Sequence, residues 1–433
     1  MSAATGQIFA LVDVNNMYVS CERAFNPRLQ GRPVVVLSNN DGCAVARSNE
    51  VKALGVKMGA PWHQLQDLAR QHGIIGLSSN YTLYGDMSNR IMTILRTYSP
   101  NVEVYSIDES FLNLAGMAGL WATPTVMGQH IRARILQWTA LPVCVGIGSS
   151  KTLAKLANHV GKKFPLFEGV CDFTTMSAAR ERWLLERIAV GEVWGVGRRI
   201  GAKLGEMGIT TVQALKEAPP RDIRMRFGVV MERTCNELRG LSCLALAEIS
   251  PPRKEIVSSR SFGELVTSID ELGEAVSMYV ARASEKLRGQ QSLCGAIHVF
   301  IQTNPFRQQD EQYSNGLTIA FPEPSDDSRT LAGAALQGLR SIYRPGYRYK
   351  KAGVMLMNLS PNSVTQGSLF DSPRPREETA KVMAALDALN RRYGRDTLVL
   401  GSAGTGGRWA MKAGNRTPRY TTSWSELPKA HAK

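Results

Sequence analysis

The segment from residue 101 to residue 114 reads Asn-Val-Glu-Val-Tyr-Ser-Ile-Asp-Glu-Ser-Phe-Leu-Asn-Leu. Apolar and polar residues alternate up to Ser106, two adjacent acids follow, and the alternation then resumes. This pattern predicts a strand, a tight bend and a second strand, with Asp108 and Glu109 at the bend. Neighbouring carboxylates repel each other and resist burial, so a divalent cation is the usual reason for holding them close. The alternative is a solvated hairpin turn that carries two acids.

A third acid has a similar setting near the N-terminus. Residues 7–15, Gln-Ile-Phe-Ala-Leu-Val-Asp-Val-Asn, form a short apolar run that closes with Asp13. An acid at the end of a buried strand lies at the rim of its sheet. If this strand pairs with the hairpin, Asp13, Asp108 and Glu109 converge, and three carboxylates can bridge two Mg²⁺ ions about 4 Å apart. The alternative is that Asp13 only begins a loop.

Length and composition limit the classes of protein. The chain has 433 residues, 43% of them hydrophobic, and a net charge of +15, which predicts two to four domains and a polyanionic partner. Nucleic acid is the first candidate partner, and an anionic membrane surface is the alternative. We expect no membrane span, because no long apolar run is present, and no secretory signal, because the N-terminus has no basic region ahead of an apolar run and no cleavage site. Seven scattered cysteines without a Cys-x-x-Cys pair predict buried thiols in a reducing cytoplasm.

A basic segment follows the acidic hairpin. Residues 142–148 predict a buried strand that ends in Gly-x-Gly-Ser-Ser, and a helix with lysines in its first two turns begins at Lys151. This arrangement suits phosphate binding. No acid occurs between Glu109 and Glu168, which favours a ligand with free phosphate oxygens. A solvated basic helix face is the alternative.

Residues 176–245 are predicted to be mostly helical and are rich in arginine. Within them, Gly195 and Gly197 form a Gly-x-Gly turn ahead of a helix, with Arg198 and Arg199 beside the turn. A helix-hairpin-helix of this kind lets backbone N–H groups approach a DNA phosphate without reading sequence. A plain helical hairpin is the alternative.

The next domain follows a Pro-Pro linker at 249–254. Residues 255–360 predict the order βαββαβ, which implies a four-stranded sheet with helices on one face. No acid occurs between Asp327 and Asp371, and basic residues alternate with tyrosines over 340–351. Such a surface can track phosphates, although a solvated loop remains the alternative. The basic residues predicted to contact DNA are Arg344, Arg348, Lys350 and Lys351.

The C-terminal region, residues 361–433, is less regular. It contains a predicted helix at 376–392 and a segment that suits peptide docking, with one polar and two apolar anchors. The anchors are Gln366, Leu369 and Phe370. The tail aromatics Trp409, Tyr420 and Trp424 predict docking on this chain or on a partner.

Five segments resemble the Y-family translesion DNA polymerases, and within them the UmuC type. They are residues 12–18, 38–43, 53–59, 79–81 and 105–111. The resemblance covers nearly the whole chain and implies a multidomain α/β and α+β fold of the right-hand polymerase kind. The implied parts are a palm (1–19 and 78–175), small fingers (20–77), a helix-hairpin-helix thumb (176–248), the linker (249–254), a βαββαβ little finger (255–360) and a C-terminal partner-binding region (361–433).

The resemblance also implies residue roles. Asp13 and Asp108 would hold two Mg²⁺ ions, Glu109 would complete the site at the primer-end metal, and the carbonyl of Val14 would be a further ligand. Tyr18 would be the steric gate that clashes with a ribose 2′-OH.

Lys155 and Lys52 would contact the triphosphate, and Gln366, Leu369 and Phe370 would bind the sliding clamp. Lys52 and Asn49 occupy positions where many family members carry arginine and tyrosine.

The implied activity is error-prone, DNA-templated DNA synthesis during SOS-type lesion bypass, in the cytoplasm with the nucleoid. The implied partners are primer-template DNA, including damaged DNA, dNTPs, a processed UmuD-type dimer, a RecA filament and a sliding clamp. A nucleotide cyclase would not need the helix-hairpin-helix, and a nuclease would have no task for Tyr18. A non-catalytic DNA-binding scaffold would need only the basic surfaces.

Overall fold

The computed structural model describes residues 7–117, 120–247, 252–363, 376–404, 407 and 409–427. The described residues form two compact units. The first is drawn from 1–38, 43–250 and 415–433, and the second from 39–42 and 251–414. The finer division into palm, fingers, thumb and little finger stays a prediction. Among the helices in the described ranges, none is long and apolar enough to cross a membrane.

The first unit contains the elements up to residue 238. Its strands are β1 (Phe9–Val14), β2 (Val34–Leu37), β3 (Ala44–Arg47), β4 (Ile75–Ser78), β5 (Val102–Val104), β6 (Glu109–Asn113), β7 (Val143–Gly148) and β8 (Val170–Asp172). Its helices are α1 (Met17–Phe25), α2 (Asn49–Ala53), α3 (Gln66–His72), α4 (Tyr81–Leu95), α5 (Pro124–Thr139), α6 (Lys151–Lys163), α7 (Ala178–Leu185), α8 (Arg198–Glu206), α9 (Val212–Glu217), α10 (Pro220–Phe227) and α11 (Val229–Leu238).

The central sheet has the order β5-β6-β1-β7-β8, and only β7 and β8 run parallel. Strand β1 is buried on both faces because its alternate residues enter different clusters. Ala10 and Val12 pack with α4 and α5, whereas Phe9 and Leu11 pack with Ala154 of α6. The predicted strand, bend and strand of the acidic hairpin are confirmed as β5 and β6.

Glycine in β7 allows α6 to lie close to the sheet. A Cβ at Gly146 would clash with backbone atoms of Asn158 and Ala154. The amide of Asn158 then donates to the carbonyls of Leu11 and Cys144, at 3.3 and 2.9 Å, and so ties α6 to β1 and β7. This contact fixes the helix that carries the basic residues predicted to face phosphate.

A smaller sheet has the order β3-β2-β4. Strand β4 was not predicted, and neither was β8. Both are short, and both are parallel to a strand that is distant in sequence, so local alternation gives little signal for them. Helix α4 begins directly after Asn80, which caps it by accepting from the backbone N–H of Leu83.

The second unit confirms the predicted βαββαβ order. Its strands are β9 (Ile256–Val266), β10 (Ser292–Thr303), β11 (Ser314–Ser325) and β12 (Tyr349–Pro361), and its helices are α12 (Ile269–Gly289), α13 (Ser328–Ile342) and α14 (Arg376–Tyr393). The sheet order is β11-β10-β12-β9, and the apolar sides of α12 and α13 pack on one of its faces. Helix α14 is held by an ion pair between Arg288 and Asp387 at 2.7 Å.

All seven cysteines are free thiols. Five of them are buried as predicted: Cys21, Cys144, Cys171, Cys235 and Cys294. The prediction of burial is wrong for Cys243, which is exposed, and Cys43 is only partly buried. Cys243 lies in the irregular segment after α11, where no apolar pattern indicated the degree of burial.

Candidate active site

The three predicted carboxylates converge at one edge of the central sheet. The antiparallel register of β1 and β6 places Asp13 opposite Glu109. One residue further, the backbone N–H of Val14 donates to the carbonyl of Asp108 at 2.9 Å. Acids separated by more than 90 positions in sequence are therefore brought together by strand pairing.

Two lysines of α6 pair with two of these acids. Lys155 binds both carboxylate oxygens of Glu109 at 2.7 Å, and Lys162 contacts Asp13 at 2.5 Å. The lysines are seven residues apart and therefore lie on one face of the helix. The role of Lys162 was missed in the sequence, although its place in the long acid-free interval was a signal for it.

The pKa of Asp13 is shifted by its burial and by the charged groups around it. The pKa of its carboxyl is raised to about 6: burial is the main cause, Lys162 opposes the shift, and the charges of Glu109 and Asp108 add to it. Asp108 accepts a hydrogen bond from the hydroxyl of Ser106 at 2.6 Å. The same hydroxyl oxygen accepts from the backbone N–H of Glu109 at 2.9 Å and thereby holds the bend.

The donor set fits a hard divalent cation by its chemistry. Asp13, Asp108 and Glu109 offer carboxylate oxygens, which Mg²⁺ prefers, and their mutual repulsion is what a cation relieves. The side-chain oxygen of Asn15 nearby is buried and accepts no hydrogen bond from any residue that the structure describes. In the ion-paired arrangement described, however, no group of three or more His, Cys, Asp or Glu side chains within the described ranges is already set as a metal site.

Tyr18 lies in an aromatic cluster beside the acids. Its ring stacks on Tyr84, with centroids 4.4 Å apart and planes at 14°, and meets the edge of Tyr81 at 5.8 Å. Burial raises the pKa of the Tyr18 phenol, and the charge of Asp108 adds to the shift. Tyr18 is therefore a partly buried ring with an acid close enough to act on it.

Lys52 approaches the same place from α2. Its ammonium donates to the side chain of Asn16 at 2.5 Å, and Asn16 donates to Asn49 at 3.0 Å. Burial together with Arg47 and Lys162 lowers the pKa of Lys52, whereas Asp13 raises it. Lys52 thus shares the electrostatic environment of Asp13. Asn16 and Arg47 were missed, because their positions in the sequence carry no periodic signal.

The predicted Gly-x-Gly turn precedes α8. Gly195 has a φ of +89°, a conformation that disfavours any side chain, and Gly197 precedes the first residue of α8. Apart from its chain neighbours, no atom of the described residues would lie within 4 Å of a Cβ at either glycine, and both glycines are exposed. Arg198 and Arg199 are exposed beside it.

The predicted basic residues of the second unit lie around β12. Arg344 lies over the ring of Tyr313 at 5.1 Å, and Lys351 lies 5.8 Å from the ring of Phe300. Lys350 donates to the carbonyl of Phe262 at 2.6 Å. Arg348 is exposed and lies within 3.5 Å of Asp310. The predicted clamp-binding residues, Gln366, Leu369 and Phe370, lie outside the described residues.

Family models match three parts of the chain. The impB/mucB/samB family matches residues 12–159, its C-terminal domain matches 253–369, and a domain of unknown function, DUF4113, matches 380–430. Protein UmuC of Salmonella typhimurium strain LT2 is 48% identical over 421 residues, which are 97% of this chain and 99% of that protein. Protein ImpB of Salmonella typhimurium is 44% identical over 423 residues, 98% of this chain and 99% of that protein.

Among solved structures, a Y-family DNA polymerase chimera of Dbh and Dpo4 aligns with a TM-score of 0.63 and 22% identity, covering 82% of this chain and 100% of the chimera. This likeness establishes the class of fold, which is that of the Y-family DNA polymerases. At the level of sequence, the chain belongs to the impB/mucB/samB family and is of the UmuC type.

Proposed function

We propose that this chain is an error-prone, DNA-templated DNA polymerase that acts in SOS-type lesion bypass and adds dNTPs to a primer 3′-OH across damaged template. The observation that carries this proposal is the register of β1 and β6 in a Y-family fold. It pairs Asp13 with Glu109 and leaves Asp108 next to both. Three carboxylates at a sheet edge are suited to phosphoryl transfer between a primer and a nucleotide.

Two Mg²⁺ ions are the cofactors that fit this site. Asp13, Asp108 and the carbonyl of Val14 would hold them, and Glu109 would complete the site at the primer end. The chemistry that such ions supply is activation of the 3′-OH and neutralisation of the leaving pyrophosphate. The contribution of the chain is to keep the acids close together and charged, which Lys155 and Lys162 support through their ion pairs.

The nucleotide would lie between the acids and the aromatic cluster. Tyr18 is the proposed steric gate against a ribose 2′-OH, because its ring is held by Tyr84 close to Asp108. Lys155 and Lys52 are the proposed triphosphate contacts, since both lie among the groups that act on Asp13 and Glu109. A triphosphate would compete with Glu109 for Lys155, which would free that carboxylate.

The grip on primer-template DNA is proposed to come from two surfaces. In the first unit, the backbone N–H groups at Gly195 and Gly197 can donate to a phosphate, with Arg198 and Arg199 beside them. In the second unit, the proposed contacts are Arg344, Arg348, Lys350 and Lys351. Contacts of this kind hold the DNA backbone without reading bases, as lesion bypass requires.

The proposed protein partners are a processed UmuD-type dimer, a RecA filament and a sliding clamp bound by Gln366, Leu369 and Phe370. The support is membership of the UmuC type and the apolar anchors of the peptide. Tethering by a clamp would raise the effective concentration of DNA for a polymerase with a weak grip. The proposed location is the cytoplasm, with the nucleoid.

Primer extension tests the site. The full-length chain and an Asp108→Ala variant would be compared on undamaged and abasic templates with Mg²⁺ and dNTPs, with and without the clamp, the RecA filament and the accessory dimer. We expect the wild type to extend both primers and the variant to lose at least about 100-fold of the rate, because a ligand of both metals is gone. Asp67→Ala, which removes an exposed acid on α3, is the matched control.

A DNA-binding scaffold is the competing function, and it predicts a different result. Such a protein would bind DNA equally well before and after Asp108→Ala and would extend no primer with any combination of partners. That outcome would contradict the polymerase assignment. Equal loss of extension in Asp67→Ala would instead show that Asp108→Ala reports general damage to the protein.

A further inference from the structure

The C-terminal strap, residues 415–427, packs within the first unit against α1 and α4. The backbone of Asn415 exchanges two hydrogen bonds with Ser78, at 3.0 and 3.1 Å. The amide of Asn80, which is 2% exposed, donates to the carbonyls of Thr417 and Pro418 at 3.0 and 3.1 Å. The same side chain accepts from the backbone N–H of Leu83 in α4. The buried amide thus joins the strap to the start of α4 and fixes the path of the strap.

The two ends of the outer part of the strap are joined by contacts between Arg419 and Glu426. The backbone N–H and the guanidinium of Arg419 all bind the carboxylate of Glu426, at 2.5 to 2.8 Å. Tyr420, between them, stacks on Phe25 of α1 with centroids 5.0 Å apart and planes at 9°. Trp424, at the outer end, is 91% exposed. The strap is therefore a compact loop anchored at the C-terminal end of α1.

One contact of the strap reaches a buried carboxylate. The hydroxyl of Thr417 donates to Oε1 of Glu22 at 3.1 Å, and the hydroxyl of Tyr84 donates to the same oxygen at 2.6 Å. Glu22 is 1% exposed, and its other oxygen makes no hydrogen bond within the described part of the chain. A buried carboxylate with so few donors is costly, so losing either hydroxyl would change the arrangement around it.

This carboxylate is linked to the ring of Tyr18 in two ways. Glu22 and Tyr18 are four residues apart on α1 and therefore lie on one face of the helix. Tyr84, which Glu22 orients, stacks on Tyr18 at 4.4 Å. The path from the strap to Tyr18 thus consists of two hydrogen bonds and one ring contact.

We propose that the C-terminal strap positions the steric gate: Thr417, through Glu22 and Tyr84, holds the ring of Tyr18 in place and sharpens the discrimination between dNTPs and rNTPs. Thr417 and Glu22 are positioning residues, since neither would touch the nucleotide. This role rests on the proposed function of Tyr18. A loose Tyr84 gives Tyr18 freedom to move, and a mobile ring excludes a 2′-OH less strictly.

The test measures kcat/KM for insertion of a dNTP and of the matching rNTP by the full-length chain with its accessory dimer. Thr417→Val keeps the shape of the side chain and removes the hydroxyl, which donates to Glu22 and accepts from the amide of Asn80, both at 3.1 Å. We expect it to lower the dNTP/rNTP preference about fivefold, the factor that corresponds to roughly the one hydrogen bond to Glu22, mostly through faster rNTP insertion. Thr417→Ser keeps the hydroxyl and should restore the wild-type preference.

The strap offers its own matched control. The hydroxyl of Thr421 is buried and makes no hydrogen bond in the described chain, so Thr421→Val makes the same chemical change without breaking the network. It should keep the wild-type preference. Tyr84→Phe, which retains the ring and removes the donor at the other side of Glu22, should repeat the effect of Thr417→Val. If Thr417→Val and Thr421→Val behave alike, the positioning role is wrong.

Tyr18→Ala separates the two proposals. If it abolishes the dNTP/rNTP preference while Thr417→Val leaves that preference unchanged, the gate stands and the role of the strap falls. If Tyr18→Ala leaves the preference unchanged, both the gate and the strap fall, whereas template-directed extension by the same sample would still support the polymerase function. Melting temperatures of all variants would be compared, because a merely destabilised chain loses dNTP and rNTP insertion together.

Discussion

At the scale of single residues, the chain keeps acids in two different environments. Asp13, Asp108 and Glu109 lie at a sheet edge, where Lys155 and Lys162 pair with two of them. Glu22 is deeper and accepts hydrogen bonds from two hydroxyls. Burial raises the pKa of its carboxyl, and the two hydrogen bonds oppose the shift. In the first set, lysines pair with Asp13 and Glu109 and favour their charged forms, whereas the donors to Glu22 are neutral hydroxyls.

Glu22 makes the stability of the fold depend on pH in a predictable direction. The folded chain holds the Glu22 proton to a higher pH than the unfolded chain, whose pKa is near the ordinary value of 4.5. As pH rises from 4.5 through the raised pKa, the folded state binds more protons and the free energy of unfolding therefore falls. Glu22→Gln keeps an acceptor for Tyr84 and Thr417 and should make this fall shallower, because only the contribution of Asp13, whose pKa is also raised, is left.

Thermal unfolding of wild type and Glu22→Gln across that pH range would measure the difference. Glu206→Gln, an exposed acid on α8, is the control and should retain the wild-type profile. A fall in stability that is equally steep in Glu22→Gln would show that Glu22 is not its source.

At the scale of secondary-structure elements, the contact between α6 and β7 positions the site. Gly146 lets the helix approach, and Asn158 ties it to β1 and β7. The predicted strand and helix were confirmed here because a continuous apolar run and a Ser150 cap are local signals. The distance between α6 and β7 was not predictable from the sequence. It depends on which backbone atoms of α6 lie against Gly146, where β7 has no Cβ.

Gly146→Ala should therefore displace α6 and its lysines. The added Cβ meets backbone atoms that cannot rotate away, and we expect a loss of about 3 kcal/mol in stability. Hydrogen exchange of the α6 amides should accelerate together with this loss. Gly205→Ala, at an exposed helical glycine of α8 with open space around it, should instead stabilise by about 0.5–1 kcal/mol. Unchanged exchange in Gly146→Ala would contradict the close approach.

At the scale of the whole molecule, charge is the dominant property. The net charge of +15 is concentrated in acid-free intervals, and several of the basic residues there are engaged locally rather than free. Lys350 donates to a carbonyl, and burial lowers its pKa, whereas Arg198 and Arg199 are exposed. Exposed arginines beside an open backbone turn are therefore the stronger candidates for direct phosphate contact.

Arg198→Ala tests one such contact. DNA affinity should fall for every sequence alike, and the slope of log K against log salt should decrease by about one, because one phosphate contact is lost. Arg90→Ala, which removes an exposed arginine paired with Asp86 on α4, is the control and should leave the slope unchanged. An effect of Arg198→Ala on only some DNA sequences would argue for base contacts instead.

Local pattern in the amino-acid sequence was enough to predict the acidic hairpin, β1 with its terminal acid, and the βαββαβ unit. Alternation, helical spacing and turn residues involve only a few neighbouring positions. They can therefore be recognised without knowing which other elements the segment packs against. The tertiary structure alone decided that Lys162 faces Asp13, that β4 and β8 exist, and that Thr417 reaches Glu22 across 395 positions. Such pairings depend on how strands and loops distant in sequence align, and no local periodicity encodes that alignment.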